Sequence, residues 1–499
     1  MKHIKYITYG MCAMIVSSSC NKYLDTTSIS NITVENFYTS TNDISQALTG
    51  VYNSLLSLPD ENYYYLSELR TSNYYISSVS AARDYYTLSR FQQTADLSTA
   101  ETSWSDLYTM IYRANKILES IDNVTYSDED DKNLVIDQCR FLRAFAYFEL
   151  VKNFGGVPLV TSVITSEEGY ALTRTSADSI YSYIISELET VTTDAYLPYA
   201  YSSSSDLGRV TLNAAWAELG KVYLYYCGYP YYQTSYYEKA LAAFQNVLDQ
   251  ESSSWTFASS YGDMFKYSNN NAYYLFEVCY SAGGTGLGSK IPGEVVPSSI
   301  TYDWFPYGNY YITGNPSDDL IAAYEDGDTR KLLTLDTVYR NTSNVVKSGK
   351  WVKKYCDTTV VDQLTSSSDW PIDFPLIRSE DVMLMYAEVS NELYGPTTDA
   401  VTLVNRIRTR AGLDELTLSA LTQDTFRDTI FHERRCEFGW EGVYWFDLVR
   451  SGNALTTMNT YLSAYYSSSS TTIQEYQLLL PIPTTEINAA PGIEQNPGY

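Results

Sequence analysis

The chain is expected to be mainly α-helical: a scaffold of tetratricopeptide-like helical hairpins, with a loop-rich, irregular lobe and a few short strands. Three observations carry this. Trp216, Leu219, Gly220 and Tyr223 fit W-x2-L-G-x2-Y, and Ala240 with Phe244 fits A-x3-F, the two halves of such a hairpin. A second pair of apolar stripes follows, Val382, Met385, Tyr386, Val389 and Leu393, then Ala400, Val401, Val404 and Ile407, on either side of Tyr394-Gly395-Pro396. Residues 252–378, by contrast, lose helical periodicity.

In the first hairpin Gly220 removes a side chain so that the second helix can approach. Its turn, 227–236, is longer than a regular repeat allows, and no proline closes the unit. A single hairpin cannot bury its own face, and residues 380–411 are the expected neighbour.

Taken in order, residues 1–19 form a secretory leader: Lys2 and Lys5, an apolar run over 7–16, then Ser17 to Ser19 before Cys20. Cys20 after small residues matches a lipidation point, and 20–40 read as a polar tether. Nothing later is long and apolar enough to span a membrane. Residues 41–499 then form one domain, with scaffold segments 41–58, 101–250 and 379–450 and a lobe of 60–100 and 252–378.

Ile44, Ala47, Leu48, Val51 and Leu55 place a helix over 43–58, ending at Pro59. Residues 60–100 read mostly as loop, rich in Tyr and Ser, with Tyr74, Tyr75, Tyr85 and Tyr86 around Arg70 and Arg83. Long aromatic loops are more often functional than filler. Helices are expected at 101–121 and at 131–152, the second ended by Gly155-Gly156. The acids at 128–131 suit a helix N-terminus; calcium is the alternative there. A short helix covers 178–190, a buried strand 272–280, and the last helices 380–394, 399–411 and 424–438, followed by 440–450. Residues 283–290 imitate a phosphate loop but carry no Gly-Lys pair at the required place. Just beyond, Trp304, Tyr307, Tyr310 and Tyr311 have no helical stripe to bury them and form the second candidate ligand surface.

Composition narrows the function. A net charge of −26 argues against nucleic acid, anionic membranes and phosphate-rich ligands. Only His3 and His432 occur, which disfavours His-based zinc sites and His-dependent nucleophiles. Neither a metal nor a cofactor is expected. With Cys20 lipidated, five cysteines at wide spacings remain, read as buried free thiols. Fifty tyrosines supply flat apolar faces with polar tips, suited to stacking on sugar rings.

Several segments together resemble one family, the SusD/RagB-type nutrient-binding lipoproteins of the Bacteroidetes outer membrane. They are CNKYLD at 20–25, YRANKIL at 112–118, RFLRAFAY at 140–147 and NFGGVPL at 153–159. RSEDV at 378–382 with YAE at 386–388, NRIR at 405–408, ERRCEF at 433–438, WFDLVR at 445–450 and LPIP at 480–483 complete the set. The resemblance implies a tetratricopeptide-like scaffold whose variable lobe captures an oligosaccharide. It also implies a SusC-like TonB-dependent transporter as partner, a lipid anchor in the outer membrane with the protein facing the cell exterior, and no catalytic residues. Arg140, Arg143, Glu433, Arg434, Glu437 and Arg450 of these motifs are read as helix-pairing charges. The candidate ligand residues, Tyr74, Tyr75, Arg83, Tyr85, Tyr86, Trp304, Tyr307, Tyr310 and Tyr311, rest on the aromatic loops alone. Two other classes stay open to the residues: a glycoside hydrolase, which needs only two carboxylates in an aromatic cleft, and a peptide-binding scaffold or transport accessory.

Overall fold

The computed structural model describes residues 37–76, 83–269, 272–297, 300, 315–466 and 472–499. The leader, Cys20 and the tether up to residue 36 lie outside the described residues, as do Trp304, Tyr307, Tyr310 and Tyr311. No helix among the described residues is long and apolar enough to cross a membrane.

Ser40 and Asp43 cap each other reciprocally and start α1, Thr41–Asn53. The helix stops short of the expected 58, because tightened bonds such as Leu55 N to Tyr52 O turn the chain while keeping Leu55 and Leu58 buried. The scaffold continues with α2 (Ser98–Ser120), α3 (Glu129–Phe154), α4 (Ala177–Asp194), α5 (Leu212–Cys227) and α6 (Tyr237–Leu248). After the lobe come α7 (Ser379–Tyr394), α8 (Thr398–Arg410), α9 (Gln423–Glu437), α10 (Tyr444–Arg450) and α11 (Ala454–Tyr465). The acidic run at 128–131 serves α3: Asp128 caps it by accepting from Asp130 N.

Each scaffold helix packs on the next, α2 on α3, α3 on α4, and so on through α6 on α7 and α7 on α8. The expected neighbour of the first hairpin is therefore the observed one. Within that hairpin, a Cβ on Gly220 would sit 2.5 Å from Cε1 of the buried Phe244. Only a glycine lets these two helices meet so closely. The long turn is packed rather than loose: Tyr231 lies 4.8 Å from Tyr181, and Tyr229 N donates to Arg450 O.

The stretch 60–100 departs from the loop expected. Pro59–Tyr65 winds as one π-helical segment, with Leu66 N donating to Glu61 O, followed by a 3-10 turn at Glu68–Arg70 and a helix at Arg83–Ser89. Six of its seven residues are buried, Asp60 and Asn62 among them, so polar and apolar positions do not separate into two faces and no helical period shows. The strand expected at 272–280 is present as β1, Tyr274–Val278, buried throughout and antiparallel to β4, Phe374–Arg378. A second antiparallel pair, β2 (Leu335–Arg340) with β3 (Val346–Val352), and α11 were not expected from the sequence.

Five of the six charges expected to pair helices, Arg143, Glu433, Arg434, Glu437 and Arg450, do so. Arg434 bonds Asp381 and Asp447, each at 2.8 Å, and Arg450 bonds Glu388 and Asp447. Glu433 takes Arg330 and Arg408, while Arg330, Arg378 and Arg410 converge on Glu437. Arg143 pairs with Glu187, and Arg140 is half-buried. Burial alone would raise both carboxyls, but Lys221 and Arg434 hold Asp381 at about 2, and the three arginines keep Glu437 well below the usual range. Such pairs are costly to break singly, because the partner is left charged and buried. Cys139, Cys227 and Cys436 are buried free thiols as expected; Cys279 is exposed.

Candidate ligand-binding surface

Around Tyr75 the chain runs extended, so neighbouring side chains point to opposite sides. Tyr74 turns inward: it is 1% exposed and meets Trp440 edge-on at 6.0 Å. A ligand cannot stack on it, which corrects the expectation for this residue. Tyr75 turns outward, half-buried, and stacks on Tyr466 at 5.1 Å and 11°. The Arg90 guanidinium lies 3.3 Å from the centre of the Tyr466 ring and 4.7 Å from that of Tyr86. Tyr75, Tyr466, Arg90 and Tyr86 thus form one layered stack.

Tyr85, on the same short helix as Tyr86, stacks on Tyr65 at 4.4 Å and 14°. The Tyr65 hydroxyl in turn hydrogen-bonds Glu294. Arg83 opens that helix, but its side chain lies outside the described residues.

The two aromatic stretches that the sequence singled out share one root. Tyr75 N donates to Asn315 O at 3.0 Å, and Ser317 N donates to Asn73 O at 2.9 Å. Residues 73–75, within the first stretch, therefore lie against 315–317, which follow the second. Tyr466 joins them, its hydroxyl accepting from Ile76 N.

A buried hub fixes this root. The Glu68 carboxylate accepts from Asn73 Nδ2 at 2.9 Å and from the backbone of Trp440 and Gly442. Burial pushes Glu68 up to about 6, although these donors hold it down. Arg435 donates from Nε to Asn73 Oδ1 and from Nη2 to Ser72 Oγ and Asp319. Ser317 Oγ donates to Ser72 O. Ser72 and Asn73 are so tied to α9 and to the segment at 317.

Arg90 and Tyr466, buried beneath Tyr75 and Tyr86, and Tyr65, buried beneath Tyr85, back the outward rings and were not among the expected ligand residues. Tyr465-Tyr466 before the serine run 467–470 repeats the pattern of the other aromatic stretches and could have been read. Tyr65 falls within the aromatic stretch 60–100 already read from the sequence, whereas Arg90 gave no signal, since it meets its ring partners only in the fold.

Elsewhere a concave region of about 380 Å³ opens beside the long turn between α5 and α6, with Tyr181, Tyr229, Tyr231, Phe446 and Tyr476 in its walls. The polar groups there are already engaged, Lys152 by Glu149 and Arg450 by Glu388 and Asp447. A hydroxyl-rich ligand would find little to bond, which favours the stacked surface.

Comparison with known proteins accords with the architecture. A model of the SusD family matches residues 298–499, and a SusD-like model described as starch-binding and associating with the outer membrane matches residues 22–224. SusD-like protein P25 of Formosa agariphila is 26% identical, with 95% of this chain and 94% of that protein covered. A solved laminarin-binding SusD-like protein is 26% identical with a TM-score of 0.76, covering 93% of this chain and all of its own. A SusD homologue of Bacteroides thetaiotaomicron, at 22% identity, shares the fold with a TM-score of 0.80 over 93% of this chain and 98% of its own. The two family models follow one another along the chain, leaving only 225–297 between them, and these relatives align with the chain over nearly its whole length. The chain belongs to the SusD/RagB family.

Proposed function

We propose that the protein is a non-catalytic, cell-surface glycan-binding lipoprotein that captures an oligosaccharide on the outward rings of Tyr75 and Tyr86, backed by the buried Tyr466 and Arg90. The layered stack is the observation that carries this reading: sugar rings present C–H faces that pack on such rings. The laminarin-binding relative supports it. Arg83, Tyr85, Trp304, Tyr307, Tyr310 and Tyr311 complete the surface. Cys20 carries the lipid in the outer membrane, the protein faces outward, and a SusC-like TonB-dependent transporter receives the ligand.

The test is a glycan panel by calorimetry, with release of reducing sugar followed in the same samples. Binding without turnover is expected, and Tyr75→Ala or Trp304→Ala should abolish it with the fold intact by circular dichroism. Product release, lost on substitution of one carboxylate, would replace this reading with hydrolysis. Failure to bind any glycan would refute it.

A further inference from the structure

One edge of the Tyr65–Tyr85 stack is built of carboxyl groups. Glu294 bonds the Tyr65 hydroxyl, and Glu294, Glu61 and Asp60 all act electrostatically on the hydroxyl of Tyr85. The charged and titratable groups facing them are Lys290, 3.4 Å from Asp60 Oδ2, Asp106, which bonds Ser57, and Tyr280. Lys290 is thus already matched to Asp60, and three further acids remain around it.

Two observations say what the edge lacks. Asp60 Oδ1 is buried and accepts no hydrogen bond, so an acceptor there has no donor. Burial, then the charge of Asp60, pushes Glu61 up to about 8, and burial raises Asp60 and Glu294 as well. The edge already holds more negative charge than its surroundings accommodate. Asp60 is closed to solvent, but Glu61 and Glu294 are half-buried, and a neutral sugar brings hydroxyl donors to them. A uronate or sulfate brings further acceptors and further charge of the same sign.

Resting on the glycan reading above, we propose that the ligand is an uncharged glycan and that Asp60, Glu61 and Glu294 exclude chains bearing uronate or sulfate groups. Selectivity then follows the ionisation of these carboxyls: it is strongest above pH 8, where they are charged, and relaxes as they take up protons below it.

The experiment compares neutral oligosaccharides with the same chains oxidised at C6 to uronates, by calorimetry at pH 8.5 and pH 6. Wild-type protein at pH 8.5 should bind the neutral form about tenfold more tightly, as expected for like charges a few ångströms apart in partly desolvated surroundings. The gap should narrow at pH 6 and in the double variant Glu61→Gln/Glu294→Gln, whose second introduced amide can still bond Tyr65. Equal or tighter binding of the uronates at pH 8.5 overturns this inference while leaving the glycan reading standing. A gap that persists unchanged at pH 6 and in the double variant overturns the role of the carboxyls. Binding of neither form refutes the glycan reading and this inference with it.

Discussion

Replacing Gly220 by Ala should change sign according to what stands opposite. In a helix interior alanine is favoured over glycine by about 1 kcal/mol. Here the new Cβ would lie 2.5, 2.7 and 3.0 Å from Cε1, Cδ1 and Cζ of Phe244. Carbon contacts settle near about 3.5–4 Å, so the ring must retreat by about 1 Å. Phe244 is wholly buried between α5 and α6, and overpacking of that kind costs about 1–3 kcal/mol. The net expectation is a loss of about 1 kcal/mol in the wild type. Phe244→Ala alone should cost about 3–5 kcal/mol. In that background Gly220→Ala gains its helix propensity and fills part of the void, so it should stabilise by about 1 kcal/mol. The two sites then couple by about 2 kcal/mol, well beyond the additivity seen for separated positions. Urea unfolding followed by far-UV circular dichroism, comparing midpoints across the four proteins, gives the cycle directly. If Gly220→Ala stabilises the wild type as much as the Phe244→Ala protein, the close approach does not limit this pair and the argument fails.

Glu218 is buried, with one carboxylate oxygen unbonded, and burial outweighs Lys221 and Lys152 to push it up to about 7. The folded form holds the proton more tightly than the unfolded chain. This contribution is therefore complete below about pH 4.3 and lost as pH rises through about 7. Glu218→Gln should be near neutral at pH 4 and raise stability at pH 8 by up to about 3 kcal/mol, read from urea midpoints at the two pH values. Asp381 acts in the opposite sense: its stabilisation is present above about pH 4 and is lost as pH falls through about 2, seen as acid unfolding. Arg434→Met leaves Asp381 and Asp447 facing each other and should cost about 3–5 kcal/mol by the same urea assay. Arg434→Lys should not restore it, because one ammonium cannot reproduce the two directed bonds of the guanidinium.

The helical scaffold was legible because its faces are one-sided. Ala240 and Phe244 on one side, with Leu241 half-buried, give α6 a period that survives without any knowledge of its neighbours. The π-helical turn at 59–65 could not be read in this way, since six of its seven residues are buried and no polar face sets a phase. Pairing was also invisible: Arg378, Arg410 and Arg330 come from three separate segments to one carboxylate. The aromatic stretches were legible as composition, but composition does not tell Tyr74, facing Trp440, from Tyr75, facing Tyr466. That distinction depends on which way an extended strand alternates, and the partner strand at 315–317 sets it.

The hub formed by Ser72, Asn73, Glu68, Arg435 and Ser317 has a use in engineering. It defines two cut points, after Ile76 and before Asn315, at which the two backbones hold each other and are tied to α9 by Arg435. The short segments that leave these anchors, residues 77–82 and 301–314, can be exchanged for those of a relative while helices α2–α6, which lie between them in sequence, stay in place. New recognition properties should therefore be transplantable as cassettes, provided the donor keeps a serine and an asparagine at the first anchor and a serine at the second.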